Sequence, residues 1–170
     1  MSELVHGNNP VHTGGCQCGA VRYALHAQLQ KSHICHCRMC QKAFGSFFAA
    51  LAVVEETDIE WVRGRPMLFR SSSITDRGFC GSCGTPLTFQ MIEGTRVNIS
   101  LGSLDDPSKV PPEIQIGIES RMPWFDTLPG LPEKNTAEAI PAERLARIES
   151  HQHPDHPTDM WPPLDIDHDL

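Results

Sequence analysis

The seven cysteines of this 170-residue chain fall into tight groups: Cys16-Gln17-Cys18, then Cys35, Cys37 and Cys40, then Cys80-Gly81-Ser82-Cys83. Thiols gathered this closely point to sulfur chemistry, either bridging or metal ligation. Seven is odd, so complete disulfide pairing would leave one thiol over. The opening MSELVHGNNPVHTGG has no basic start followed by an apolar core, so no secretory signal is read there. The expectation is a cytoplasmic chain, and where thiols are kept reduced such clusters more often bind metal than form bridges.

Zinc takes four ligands in a tetrahedron, and a structural site usually draws two from each of two knuckles. Cys80 and Cys83, in FCGSCGT, have the knuckle form, with glycines that let the backbone curl toward the thiolates. Cys16 and Cys18, flanked by Gly14, Gly15 and Gly19, are the other glycine-rich pair. Together they would make a closed structural site. Cys35, Cys37 and Cys40 supply three ligands, and three ligands plus an exchangeable position is the pattern of a catalytic zinc. A thiol, water or carbonyl entering the vacancy would be activated, because the metal lowers the pKa of what it holds. The expected cofactors are therefore two Zn²⁺ per chain, one structural and one catalytic. Two alternatives stay open: His33, which shares the parity of Cys35 and Cys37, completes a second closed site, or Cys35 and Cys37 act as a redox pair.

The elements that must position these groups read as short strands. Residues 20–25 alternate, with Val21, Tyr23 and Leu25 on one face; 32–37 would deliver the middle ligands, and 38–44 reads as a turn or one helical turn. The apolar run 46–54, SFFAALAVV, suits a strand buried on both faces. Further strands are expected at 58–62, 67–70, 86–91, 96–101 and 113–118, the last with Ile114, Ile116 and Ile118 together. Only 136–150 looks helical, starting near Pro141. The fold class is thus all-β, mainly antiparallel, with zinc knuckles, a short C-terminal helix and an irregular tail. The domain divisions expected are a flexible N-terminus at 1–12, a zinc domain at 13–132, and a helix with an acidic tail at 133–170.

Lysine and arginine number 14 against 21 acidic residues, a net charge of −7, which argues against nucleic acid as a partner and against membrane-surface binding. No apolar stretch approaches transmembrane length. The last twenty residues hold four histidines, five aspartates and four prolines. Prolines this dense preclude a packed element, so docking of Met160 and Trp161 on this or a neighbouring subunit is preferred to metal binding by the tail.

The order G-x-C-x-C-G-A-V-R-Y, C-H-C-x-x-C-x-K-x-x-G, R-x-F-C-x-x-C-G-T-x-L and G-S-L-D-D-P, followed by P-W, resembles the glutathione-dependent formaldehyde-activating enzyme (GFA) family, whose domain is shared with centromere protein V. The resemblance runs from about Gly14 to about Leu131. It implies an Mss4-like β-tent, structural ligation by Cys16, Cys18, Cys80 and Cys83, and catalytic ligation by Cys35, Cys37 and Cys40. It also implies a carbon–sulfur lyase that joins formaldehyde and glutathione into S-hydroxymethylglutathione, with glutathione as co-substrate. One departure is Gln115-Ile116, where the family often carries histidine before the isoleucine. For a small thiol and aldehyde substrate, Arg38 and Lys42 are the nearest cations for glutathione carboxylates, and Gln41, Ser46 and Phe47 are placed at the pocket by adjacency. A homodimer is compatible with this reading. The rivals are a zinc-braced β binding module without catalysis, and a lyase or transferase for a different thiol adduct.

Overall fold

A computed structural model describes residues 9–161. Its strands are β1 (His12–Gly15), β2 (Arg22–Leu25), β3 (Gln30–Cys35), β4 (Ala49–Glu55), β5 (Ile59–Arg63), β6 (Met67–Ser72), β7 (Thr75–Phe79), β8 (Pro86–Met91), β9 (Arg96–Ser100) and β10 (Ile114–Ile116). One helix, α1 (Arg38–Phe44), lies between β3 and β4, and two single turns, α2 (Thr136–Ala139) and α3 (Ala142–Leu145), follow the sheets. A three-stranded sheet runs β1-β2-β5 and a seven-stranded sheet β10-β3-β4-β9-β8-β7-β6. Every pairing is antiparallel except β10 on β3. The expected all-β, mainly antiparallel class is what the chain adopts.

Alternation in β2, β4, β8 and β9 sends Tyr23, Leu25, Ala52, Val54, Leu87, Val97 and Ile99 into one core, and Cys16, Cys18 and Cys80 belong to it. The apolar run at 46–54 becomes strand only from Ala49. Gly45 ends α1 in the left-handed region at φ 58°, which an L side chain rarely adopts, and the chain must clear that cap before pairing. Phe47 and Phe48 instead join rings from the late loop, Phe47 standing edge-on to Trp124 at 5.0 Å.

Two other expectations change. The alternating stretch 113–118 pairs only over Ile114–Ile116, as an edge strand, and all its isoleucines are exposed. Gly117, at φ 66°, turns the chain before Ile118 can continue the ladder. The single helix expected at 136–150 is two turns with a break. Ile140 is extended because it precedes Pro141, and Pro141 cannot donate into a preceding helix. Asn135 caps α2 through a reciprocal capping box with Glu138.

The segment after α3 returns to the first knuckle. The His153 N–H donates to Gln17 O at 2.7 Å, and Trp161 Nε1 donates to Cys18 O at 2.9 Å. Trp161 thus docks on its own chain, whereas Met160 is exposed. His153 is buried, with its ring nitrogens on Pro154 O and Thr158 Oγ1. Tail residues 162–170, including His168, lie outside the described residues. At the other end, Val11 N–H already donates to Leu25 O at 2.8 Å, so the first sheet begins ahead of Gly14.

Candidate metal centres and an adjoining cleft

The structure brings Cys16, Cys18, Cys80 and Cys83 together, with all four Sγ atoms within 4.8 Å of one another. Each pair sits on a turn closed by a left-handed glycine. Gly19 (φ 74°) donates to Cys16 O at 3.1 Å, and Gly84 (φ 76°) donates to Cys80 O at 2.9 Å. The Thr85 hydroxyl ties the turns together, accepting from Gln17 N–H at 3.1 Å while lying 3.1 Å from Cys83 Sγ. Since its oxygen accepts from Gln17, its proton is free for the sulfur. Val21 N–H donates to Cys16 Sγ at 3.2 Å. Zn–S bonds of about 2.3 Å in a tetrahedron require sulfurs about 3.8 Å apart. Cys16 and Cys18 are separated by 3.6 Å and Cys18 and Cys80 by 3.8 Å, with every cysteine a free thiol. This donor set fits a closed zinc site. Burial pushes the Cys16 thiol up; at Cys83 burial is outweighed by the Thr85 hydrogen bonds and a contact from Cys18, bringing it down to about 6.

Cys35, Cys37 and Cys40 form the second group, again with Sγ atoms within 4.8 Å of one another. Cys35 ends β3, Cys37 is the N-cap of α1, and Cys40 lies in its first turn, so a strand-to-helix corner delivers all three. The Cys40 N–H donates to Cys37 Sγ at 3.4 Å. Burial, reinforced by the neighbouring thiols, pushes Cys35 up to about 12. At Cys37 burial is outweighed by the Cys40 N–H and the other sulfurs, and its thiol is lowered. Among the described residues no fourth cysteine, histidine or carboxylate joins this trio. His33 turns back so that Nδ1 lies 2.8 Å from Lys31 O. His36 is fully buried on the other side, its Nε2 2.8 Å from Gln115 Oε1 and its ring edge-on to Phe125 at 4.8 Å. Gln115 therefore orients an imidazole that itself packs among aromatic rings. The trio fits a three-ligand metal.

A cleft of about 690 Å³ lies between α1 and the β6-β7-β8 hairpins. Arg38 and Lys42 line it; Gln41, Ser46 and Phe47 do not. Gln41 is buried, its Nε2 donating to His36 O at 2.7 Å and Ser120 O at 2.9 Å while its oxygen accepts from Arg38. Ser46 is exposed, and Phe47 packs on Trp124. The cleft also contains Arg77, which sequence reasoning left without a role. Arg77 Nη2 lies 3.4 Å from Cys40 Sγ, its Nε donates to Ser71 Oγ at 3.0 Å, and its guanidinium sits 4.9 Å from the Phe89 ring centre. It links the cleft to the trio.

Gly117 presses on the same corner. A Cβ there would lie 2.8 Å from Cys37 N at a φ of 66°. Gly117→Ala is therefore expected to weaken metal retention at the trio by about tenfold and to leave the main melting transition within a few degrees of wild type. Competition with a chromophoric chelator, beside a thermal melt, checks this.

A family model described as glutathione-dependent formaldehyde-activating enzyme matches residues 11–120. An uncharacterized lyase of Schizosaccharomyces pombe is 29% identical over 85 residues, covering 50% of this chain. The match spans 61% of that relative's own length. A crystal structure of a Rhodobacter sphaeroides protein superposes with a TM-score of 0.49 at 22% identity, covering 61% of this chain and 98% of the other. Among the described residues, no helix is long and apolar enough to cross a membrane.

Proposed function

The chain belongs to the glutathione-dependent formaldehyde-activating enzyme family, and from that membership we propose that it is a zinc-dependent carbon–sulfur lyase acting on a thiol adduct of a small aldehyde. Glutathione and formaldehyde are the reference pair. The likeness to a protein described as a lyase agrees with this. The observation that carries the proposal is the trio of Cys35, Cys37 and Cys40, with no fourth side-chain ligand among the described residues and with Cys40 in contact with Arg77, a residue of the adjoining cleft.

In the joining direction a thiol S–H adds across an aldehyde C=O. The C–S bond forms, the carbonyl π bond opens, and the thiol proton ends on the former carbonyl oxygen. Uncatalysed addition already occurs, so the protein's task is to present thiol and carbonyl together and to favour the thiolate. A zinc ion held by Cys35, Cys37 and Cys40 would supply Lewis acidity for that purpose. Arg77 braces Cys40, and the cations Arg38 and Lys42 beside the trio suit a substrate carboxylate. Cys16, Cys18, Cys80 and Cys83 would hold a second zinc that braces the fold.

The test is metal content and turnover in wild type and Cys37→Ser. About two zinc ions per chain should fall to about one, with the fold retained and adduct formation from thiol and aldehyde reduced to the uncatalysed rate. Loss of both ions with unfolding would contradict the division into closed and open sites. Adduct formation no faster than the uncatalysed rate in wild type itself would favour the binding module, and turnover unchanged in Cys37→Ser would remove the trio from the reaction.

A further inference from the structure

The walls of the cleft say more about the guest than the trio does. Phe44, Phe69, Phe79, Met39 and Pro86 face it, and among the described residues no aspartate or glutamate lines it. The charged residues described in its lining are cations: Arg38, Lys42 and Arg77. Arg77 is 6% exposed, and its Nη1 is buried with no hydrogen-bond partner. A buried guanidinium N–H left unpaired is costly, and in an apolar surround its attraction for an anion is stronger than in water.

Glutathione matches these walls poorly. Its ammonium would find no carboxylate among the described residues of the lining, and much of its tripeptide backbone would lie against the rings of Phe44, Phe69 and Phe79. Formaldehyde, with one carbon, needs no apolar chamber of this size. We propose that the cleft selects a compact organosulfur acid with an apolar body, in which a carboxylate is drawn to Arg77 and its neighbouring cations while an aromatic or branched aliphatic group fills the space toward Phe69. This assignment rests on the lyase reading only in taking the Cys35, Cys37 and Cys40 trio as the end where the sulfur reacts.

Three unreactive thioethers separate the ingredients: (benzylthio)acetate, benzyl methyl sulfide, which lacks the carboxylate, and S-methylglutathione, which lacks the apolar body. Calorimetric titration of the zinc-loaded chain should rank (benzylthio)acetate about tenfold or more above each of the others, the effect of one buried ring or one desolvated ion pair. Phe69→Ala, outside both cysteine groups and exposed, should cost (benzylthio)acetate about tenfold in affinity with metal content unchanged. Equal or tighter binding of S-methylglutathione, no dependence on the carboxylate, or indifference to Phe69→Ala would overturn the assignment. If the trio retains its labile metal and turns over adduct while (benzylthio)acetate fails to bind, only the cleft assignment falls. If (benzylthio)acetate binds as expected but the trio takes no metal, the lyase reading falls and the cleft remains.

Discussion

Cys80→Ser is expected to abolish the cooperative thermal transition and to leave the purified chain without bound zinc. Cys80 is completely buried, and it sits in the same apolar cluster as Tyr23, Leu87 and Ile99. The closed cysteine group is thus part of the core, joining the turn after β1 to the turn after β7. Apparent binding free energies of structural zinc reach about 10–16 kcal/mol in small domains, whereas whole domains are stable by about 5–15 kcal/mol. Losing the zinc contribution as a whole, about 10–16 kcal/mol, matches or exceeds that margin. Serine also leaves a buried hydroxyl where a thiolate stood, and its three sulfur neighbours lose their common partner. Circular dichroism against temperature and zinc content by atomic absorption provide the measurement. A native-like melt in the variant would show that the two sheets hold without the knuckles. The contrast with Cys37→Ser matters: that residue lies in a separate, half-exposed corner, so its loss should leave the sheets folded.

The legible parts of this molecule are local. A knuckle is a property of a few adjacent residues, so Cys80, Cys83 and Gly84 announce their turn without reference to the rest of the chain. The pairing of that knuckle with Cys16 and Cys18 followed from ligand number, since each pair is incomplete alone. The strand over Pro86–Met91 matches its expected bounds because Cys83-Gly84-Thr85 punctuates its start. The single helix expected across 136–150 is broken at Pro141, which starts α3 as a proline at a helix start should but cannot continue α2. At 113–118 the isoleucine alternation was real, yet it marked an exposed edge, because periodicity reports a shared face and says nothing of what covers it.

The cleft was hidden for a different reason. Arg77 reaches Cys40 across 37 positions, and that contact exists only because β7 is threaded between β6 and β8 opposite α1. Nothing local to Arg77 encodes the threading. Gln41 shows the converse: adjacency to Cys40 placed it at the pocket, but α1 turns its amide inward to His36 and Ser120, while Arg38 and Lys42 face outward to the cleft.

A second long-range contact should dominate stability apart from the metal. Asp105→Asn is expected to destabilise the fold by about 3–5 kcal/mol, because it leaves Arg22 charged and buried without its counter-ion. The side chains of Arg22 and Asp105 are only 6% and 10% exposed, and they meet in two parallel hydrogen bonds of 2.7 and 2.5 Å. Thr13 Oγ1 donates to the same carboxylate at 2.6 Å, and Asp105 N–H donates to Thr13 O at 2.9 Å. One carboxylate thus fastens the loop after β9 to β1 and β2, beside the bond between Tyr23 and Ser103. Burial alone would raise its pKa, but the hydrogen bonds from Arg22 and Thr13 outweigh burial and hold it below the usual carboxylate range. A group depressed on folding contributes stability that is present above its unfolded pKa, near about 3.9, and is lost as pH falls through the lower folded value. The difference between wild type and Asp105→Asn in urea melts should therefore not narrow from about pH 8 down to about pH 5, and should shrink only in stronger acid. The nearby His153, whose protonation the Asp105 charge favours, acts only to widen it. Protonation of cysteine ligands weakens both proteins alike, so it cancels in that difference. A gap that closes between neutral pH and pH 5 would mean that Asp105 titrates in the ordinary range or above it, and that the ion pair with Arg22 does not hold in solution.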